Sequence, residues 1–165
     1  STLDESSAAS DVYKRQEEAV QAQLPKATIY HYVYENNNAH RDSIAINYFG
    51  NRISYGKLLD NIDRCAAAFA ALGVQKGDVV CCASASIPEA AYVLYGLNKI
   101  GASTLTLDPR RSLSEIRQFI EKASKKVIVV LDIAYEHVSK AMEGLGVEKV
   151  VVISADASML SLIHI

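Results

Sequence analysis

The chain has 165 residues, half of them hydrophobic and 22% charged, the make-up of a globular domain with room for its own core. Seventeen Lys and Arg against nineteen Asp and Glu leave a net charge of −2, without the basic stripe of a nucleic-acid binder. No run reaches the roughly eighteen apolar residues of a membrane-spanning helix, and three cysteines, an odd number, suit the reducing cytoplasm better than a disulfide framework.

The two ends read differently from the rest. Asp11-Val12-Tyr13-Lys14-Arg15-Gln16 can be encoded as GAT GTG TAT AAG AGA CAG. The reverse complement, CTG TCT CTT ATA CAC ATC, translates to Leu-Ser-Leu-Ile-His-Ile, which is Leu160 to Ile165. Protein constraints do not place one inverted DNA string near both ends of a chain, and the string resembles the transposon end used to fragment DNA for sequencing. Both hexapeptides, 11–16 and 160–165, are therefore expected to be translated adapter. Residues 1–27 are expected to be a non-native, disordered or helical lead-in, and 28–159 the partial domain. The alternative is a natural N-terminal helix and a natural C-terminal strand.

Glu17 to Gln23 is polar and helix-compatible, and stops before Pro25. Thr28 can cap a helix in which Ile29–Val33 and Tyr30–Tyr34 are i,i+4 pairs, although the alternation from Tyr30 to Tyr34 also fits a strand. Its tyrosines suit a half-buried packing surface, with a ligand platform as the sharper alternative. Ser43 to Phe49 alternates, Gly50-Asn51 is a turn and Arg52 to Ser54 returns, which predicts a β-hairpin. Ser54 then caps a helix whose Leu58, Ile62, Cys65, Phe69 and Leu72 form one apolar stripe, ended by Gly73. Val79 to Ala83 reads as a buried strand, with Cys81 and Cys82 on opposite faces as core groups rather than metal ligands.

Pro88-Glu89 opens the next helix, which ends where Gly101 takes the left-handed position after a C-terminus. Ser103 to Leu107 is a short strand stopped by Asp108-Pro109. Ser112 and Glu115 have the spacing of a capping box, and Leu113, Ile116, Ile120 and Ala123 continue at helical spacing. The uninterrupted run from Val127 to Leu131 predicts a parallel strand covered on both faces. Asp132 is placed to cap a helix reaching about Leu145, and Val150 to Ile153 reads as another buried strand. The order predicts an α/β fold: a mostly parallel, Rossmann-like sheet with helices on both faces, plus an N-terminal β-hairpin.

Four of these segments, in this order and spacing, carry a resemblance. They are Ile53-Ser54-Tyr55-Gly56-Lys57-Leu58, Gly73-Val74-Gln75-Lys76-Gly77-Asp78-Val79-Val80, Ile87-Pro88-Glu89-Ala90, and Lys99-Ile100-Gly101-Ala102 with Leu105-Thr106-Leu107-Asp108-Pro109. From Thr28 to Ile153 the chain resembles the N-terminal part of the adenylate-forming (ANL) superfamily of acyl-CoA synthetases, luciferases and peptide-synthetase adenylation domains. The wording is nearest the bacterial acyl-CoA synthetases. Lys57 departs from the glutamate usual there, which would weaken the helix start.

The resemblance implies an N-terminal, AMP-binding fragment of an ATP-dependent carboxylate–CoA ligase. The intact enzyme would use ATP, Mg and coenzyme A to turn a carboxylic acid into an acyl-adenylate and then an acyl-CoA. The family's Ser/Thr/Gly-rich phosphate loop ending in Pro-Lys is absent here, as are its downstream adenine, ribose and lysine motifs. The fragment itself is therefore expected to be inactive and to bind no cofactor. Without the later sequence that covers it in the family, an apolar face should be exposed and the fragment should self-associate.

Arg110 and Arg111 follow the C-terminal end of a parallel strand beside a helix N-terminus, where open α/β sheets bind ligands. The resemblance makes them candidates for a coenzyme A phosphate; the alternative is a solvated pair or a structural ion pair. His31, His40 and His137 are scattered without partners at ligand spacing. No Gly-x-Gly-x-x-Gly follows a strand, and no Gly-x-Ser-x-Gly elbow surrounds Ser84 or Ser86, so no catalytic or metal residue is assigned. A different class of function is a free-standing Rossmann-like module that binds a nucleotide or a protein without catalysis. Saturable ATP binding by the isolated chain would favour it.

Overall fold

The computed structural model describes residues 27–155. In chain order these form α1 (Ile29–Asn37), β1 (Ile44–Tyr48), β2 (Asn51–Ser54), α2 (Tyr55–Ala71), β3 (Val79–Ala83), α3 (Pro88–Lys99), β4 (Ser103–Leu107), α4 (Leu113–Lys122), β5 (Val127–Leu131), α5 (Tyr135–Met142) and β6 (Lys149–Ile153). Short 3-10 turns follow α1 and β5. The expected adapter segments at 11–16 and 160–165, and the lead-in helix over Glu17–Gln23, lie outside the described residues.

β1 and β2 pair as an antiparallel hairpin, while the other four strands form a parallel sheet in the order β4-β3-β5-β6. That order follows from the connections. From β3 the chain crosses through α3 to β4 on one side, then returns through α4 to β5 on the other side of β3. Crossovers of one hand that leave in opposite directions must lay their helices on opposite faces. One face is accordingly filled by Phe69, Val80, Cys82, Val93, Leu97 and Val129, the other by Cys81, Ile116, Ile120, Ile128, Val130 and Val138. Every residue of β5 is buried, and each such aliphatic side chain contributes about 1.5–3 kcal/mol by leaving water. Cys81 and Cys82 do point to opposite cores.

A third cluster, around Tyr30, Ile53, Leu58, Leu59, Ile62 and Tyr92, fastens α1 and the hairpin to α2 and α3. Thr28 caps α1 through its side chain. Tyr30 is buried; Lys99 Nζ lies 4.7 Å from its ring centroid and donates to its hydroxyl at 3.0 Å, while also pairing with Asp63. Of the readings for these tyrosines, helix and packing describe Tyr30; the strand does not form. Gly96 brings α3 onto α2, because a Cβ there would stand 2.9 Å from Cys65 Cβ and 3.1 Å from the Ala66 nitrogen.

Three expectations need correction. The hairpin turns at Phe49-Gly50, not Gly50-Asn51: both residues have positive φ (48° and 85°), and Asn51 already pairs with Tyr48. A two-residue loop with two left-handed positions matches the twist of its strands. The helix after β5 starts at Tyr135 and ends at Met142, because Asp132 accepts the Ile133 N–H at 2.6 Å and folds a 3-10 turn instead of capping an α-helix. β6 is not a buried strand. It lies at the sheet edge with Val150 and Val152 36% and 50% exposed.

Candidate functional site

The loop leaving β3 runs to α3 on one face, while those leaving its neighbours β4 and β5 run to α4 and α5 on the other, so the loops part at the C-terminal end of β3. This is the topological switch point at which open α/β sheets take ligands. A cleft of about 880 Å³ occupies it. Its walls are the Ser84-Ala85-Ser86 loop after β3, the Asp108-Pro109-Arg110 turn after β4, and Ile133, Ala134 and His137 after β5.

The turn after β4 is built on Asp108. Pro109 ends the ladder, and Asp108 Oδ1 accepts the Arg110 backbone N–H at 2.9 Å, closing a local turn of the kind aspartate favours. The Arg110 side chain then folds back on the same carboxylate. Nε donates to Oδ1 and Oδ2 at 3.0 and 3.2 Å, and Nη2 donates to Oδ2 at 2.6 Å. These guanidinium bonds hold the Asp108 carboxyl down at about 2. The Arg110 side chain remains 87% exposed at the lip of the cleft.

Arg111 turns the other way. Its Nη1 donates to Glu115 at 2.8 Å, and the guanidinium carbon lies 5.7 Å from the centroid of the Phe119 ring. Ser112 and Glu115 form the full capping box of α4. The Ser112 hydroxyl first, then its N–H and Arg111, hold the Glu115 carboxyl below the usual range. The structure thus brings one of the two candidate arginines to the cleft. Both guanidinium groups have a carboxylate partner, as the ion-pair alternative expects.

His137 went unassigned in the sequence and lines the cleft, its Nε2 lying 2.9 Å from the Arg111 carbonyl oxygen across the loop–helix junction. Its only sequence signal is a place in the first turn of the helix after β5. Ser84 and Ser86 also line the cleft, the Ser84 hydroxyl donating to the Ala85 carbonyl at 3.0 Å. Next to them, a mostly apolar hollow of about 420 Å³ lies between the hairpin and α3, lined by Ile46, Tyr48, Ala90, Ala91 and Leu94 among others. Among the described residues, no group of three or more His, Cys, Asp or Glu is placed to hold a metal ion. Burial pushes the Cys81 and Cys82 thiols up to about 12 and about 11, and raises that of Cys65, which disfavours the reactive thiolate in each. Chemically, the cleft offers one exposed guanidinium and several hydroxyl groups, a surface that can receive an anion.

Residues 33–163 match the family described as AMP-binding enzyme. The chain is similar to an acetyl-coenzyme A synthetase from Streptomyces avermitilis, 33% identical over 129 residues that cover 69% of this chain and 20% of that protein. It is also similar to 4-coumarate–CoA ligase 3 from Oryza sativa subsp. japonica, 33% identical over 103 residues, or 62% and 19% of the two chains. It spans about a fifth of the length of these curated relatives. Among solved structures it resembles a benzoate CoA ligase from Burkholderia xenovorans LB400, with a TM-score of 0.70, 15% identity, and coverage of 78% of this chain and 26% of that one. It likewise resembles a luciferase-like enzyme from the mealworm Zophobas morio, with a TM-score of 0.72, 19% identity, and coverage of 81% and 32%. These structural likenesses show the fold.

Proposed function

Because this chain belongs to the AMP-binding enzyme family, we propose that it is the N-terminal part of an ATP-dependent carboxylate–CoA ligase. In the complete enzyme a carboxylic acid attacks the α-phosphorus of Mg-bound ATP, releasing pyrophosphate and leaving an acyl-adenylate. The thiol of coenzyme A then attacks the acyl carbon, and AMP leaves. The observation that carries this reading is the match over 33–163, in company with relatives named as CoA ligases. Residues 28–159 are the piece of the AMP-binding domain that this chain holds, and the enzyme works in the cytoplasm, where its cysteines stay reduced.

The chain's own contribution is the scaffold and one lip of the ligand cleft. Arg110 is the contact for a phosphate of coenzyme A: it is exposed, stands beside the switch-point cleft, and its planar donor fork suits a phosphate. Arg111 supports that turn through Glu115 and α4. Among the described residues no group of three or more His, Cys, Asp or Glu is placed to hold a metal ion, and the isolated 165-residue chain is expected to form no thioester.

The full reading frame, expressed and supplied with ATP, Mg, coenzyme A and a panel of carboxylic acids, should release AMP and form thioesters. A frame with no phosphate loop after β6, or a protein with no acid-dependent AMP release, overturns the reading. In that enzyme, the double change Arg110→Ala, Arg111→Ala should raise the apparent KM for coenzyme A. An unchanged KM removes the arginine assignment and leaves the ligase reading standing.

A further inference from the structure

We infer that Asp108 tunes the anion affinity of the cleft by acting as the resident counter-ion of Arg110, a carboxylate that a ligand phosphate must displace. The inference rests on Arg110 being the phosphate contact, and it concerns how that contact is regulated. Asp108 makes two separable sets of bonds. Through Oδ1 it accepts the Arg110 backbone N–H at 2.9 Å, which shapes the turn. Through both oxygens it takes Arg110 Nε and Nη2, which occupies one two-donor edge of the guanidinium.

The second set is built to be exchanged. Asp108 and Arg110 are two residues apart, so the pair adds no long-range tie to the fold. Their side chains are 43% and 87% exposed, and exposed pairs of this kind hold weakly because water and salt compete for both partners. A phosphate brings more negative charge and more acceptor oxygens than a carboxylate, and it can take the guanidinium in the same two-point fashion. Asp108 also reduces the net charge of the turn, which weakens the field that draws an anion to the lip. Arg111 is paired separately, with Glu115 at 2.8 Å on the α4 side of the turn. His137 Nε2 is engaged with the Arg111 carbonyl oxygen at 2.9 Å.

Asp108→Asn separates the two sets. The amide oxygen still accepts the Arg110 N–H, so the turn persists, while the negative charge is gone. The enzyme expressed from the full reading frame is titrated with coenzyme A by calorimetry, which reads the parent and every variant alike. Asp108→Asn is expected to bind roughly threefold more tightly at low salt, the scale of one screened charge at several ångströms in water. The gain should vanish at high salt, and Asp108→Glu should restore weak binding. An intact Asp108→Asn fold, shown by an unchanged NMR fingerprint elsewhere, with affinity equal to or below that of the parent, overturns the inference. In that case Arg110→Ala still weakens binding, and the coenzyme contact survives. If Arg110→Ala binds as the parent does, the contact and the inference fall together.

Discussion

Asp78 stands where β3 begins, and its carboxylate accepts the Gln75 N–H at 2.8 Å, Lys126 Nζ at 3.1 and 3.4 Å, and the Ser124 hydroxyl at 3.5 Å. The Ser124 hydroxyl accepts the Val79 N–H in turn, so one side chain ties the entrances of two neighbouring strands. The Gln75 N–H first, then Lys126, lower the Asp78 carboxyl in the folded state. Its unfolded value lies at about 3.9. A folded value below the unfolded one stabilises fully above about pH 4, and that contribution disappears as pH falls through the lower folded value. Asp78→Asn should therefore be less stable than the parent at pH 7 and converge on it in acid, as read from urea unfolding at a series of pH values. A constant gap at all pH values would show that the charge of Asp78 does nothing. The place of Arg110 at the cleft was partly legible in the sequence, since Pro109 and Ser112 bracket it between a strand end and a helix start. The return of Arg110 onto Asp108 was not, because it depends on how the turn aims the side chain. Nor was His137, which meets the Arg111 carbonyl only through the fold.

Helix by helix, the tightest constraint is the approach of α3 to α2 at Gly96. A methyl group there meets Cys65 Cβ at 2.9 Å and the Ala66 backbone nitrogen at 3.1 Å, neither of which can rotate away. Gly96→Ala should cost about 1–3 kcal/mol, the usual penalty of overpacking, and lower the thermal midpoint. Removing the α4 cap by Ser112→Ala should cost about 1 kcal/mol, measured the same way. Elements with a long apolar period and a cap at each end, such as α2, were legible as they stand. The misses sit where the signal was short or two-sided. Gly50 is followed by the turn-favouring Asn51 and preceded by Phe49, which favours strands, and only the register of β1 against β2 places the turn at Phe49-Gly50. Asp132 carries the residue type of a cap, yet its bond to the adjacent Ile133 N–H closes a tighter turn. The run from Val150 to Ile153 reads as a core strand, since valines alone do not say whether another strand or helix lies beyond them.

At the scale of the molecule, among the described residues, the sheet ends on both sides in strands with one partner each, β4 and β6. β6 adds two half-open valines to its free edge, and open strand edges with apolar side chains invite pairing with another chain. The isolated chain should self-associate through this region. Sedimentation at tens of micromolar (roughly the range in which partly uncovered cores aggregate) should show concentration-dependent species, and Val152→Lys should reduce them. A clean monomer would count against the uncovered face. The adjacent thiols Cys81 and Cys82 have a consequence of another kind. One faces the layer of α2 and α3, the other the layer of α4 and α5, so a single dipeptide samples both halves of the molecule. In mild denaturant, the order in which an alkylating reagent reaches them, read by mass spectrometry of one peptide, times the loosening of each layer. Simultaneous modification marks a single cooperative unit, whereas a lag marks a molecule that comes apart one side at a time.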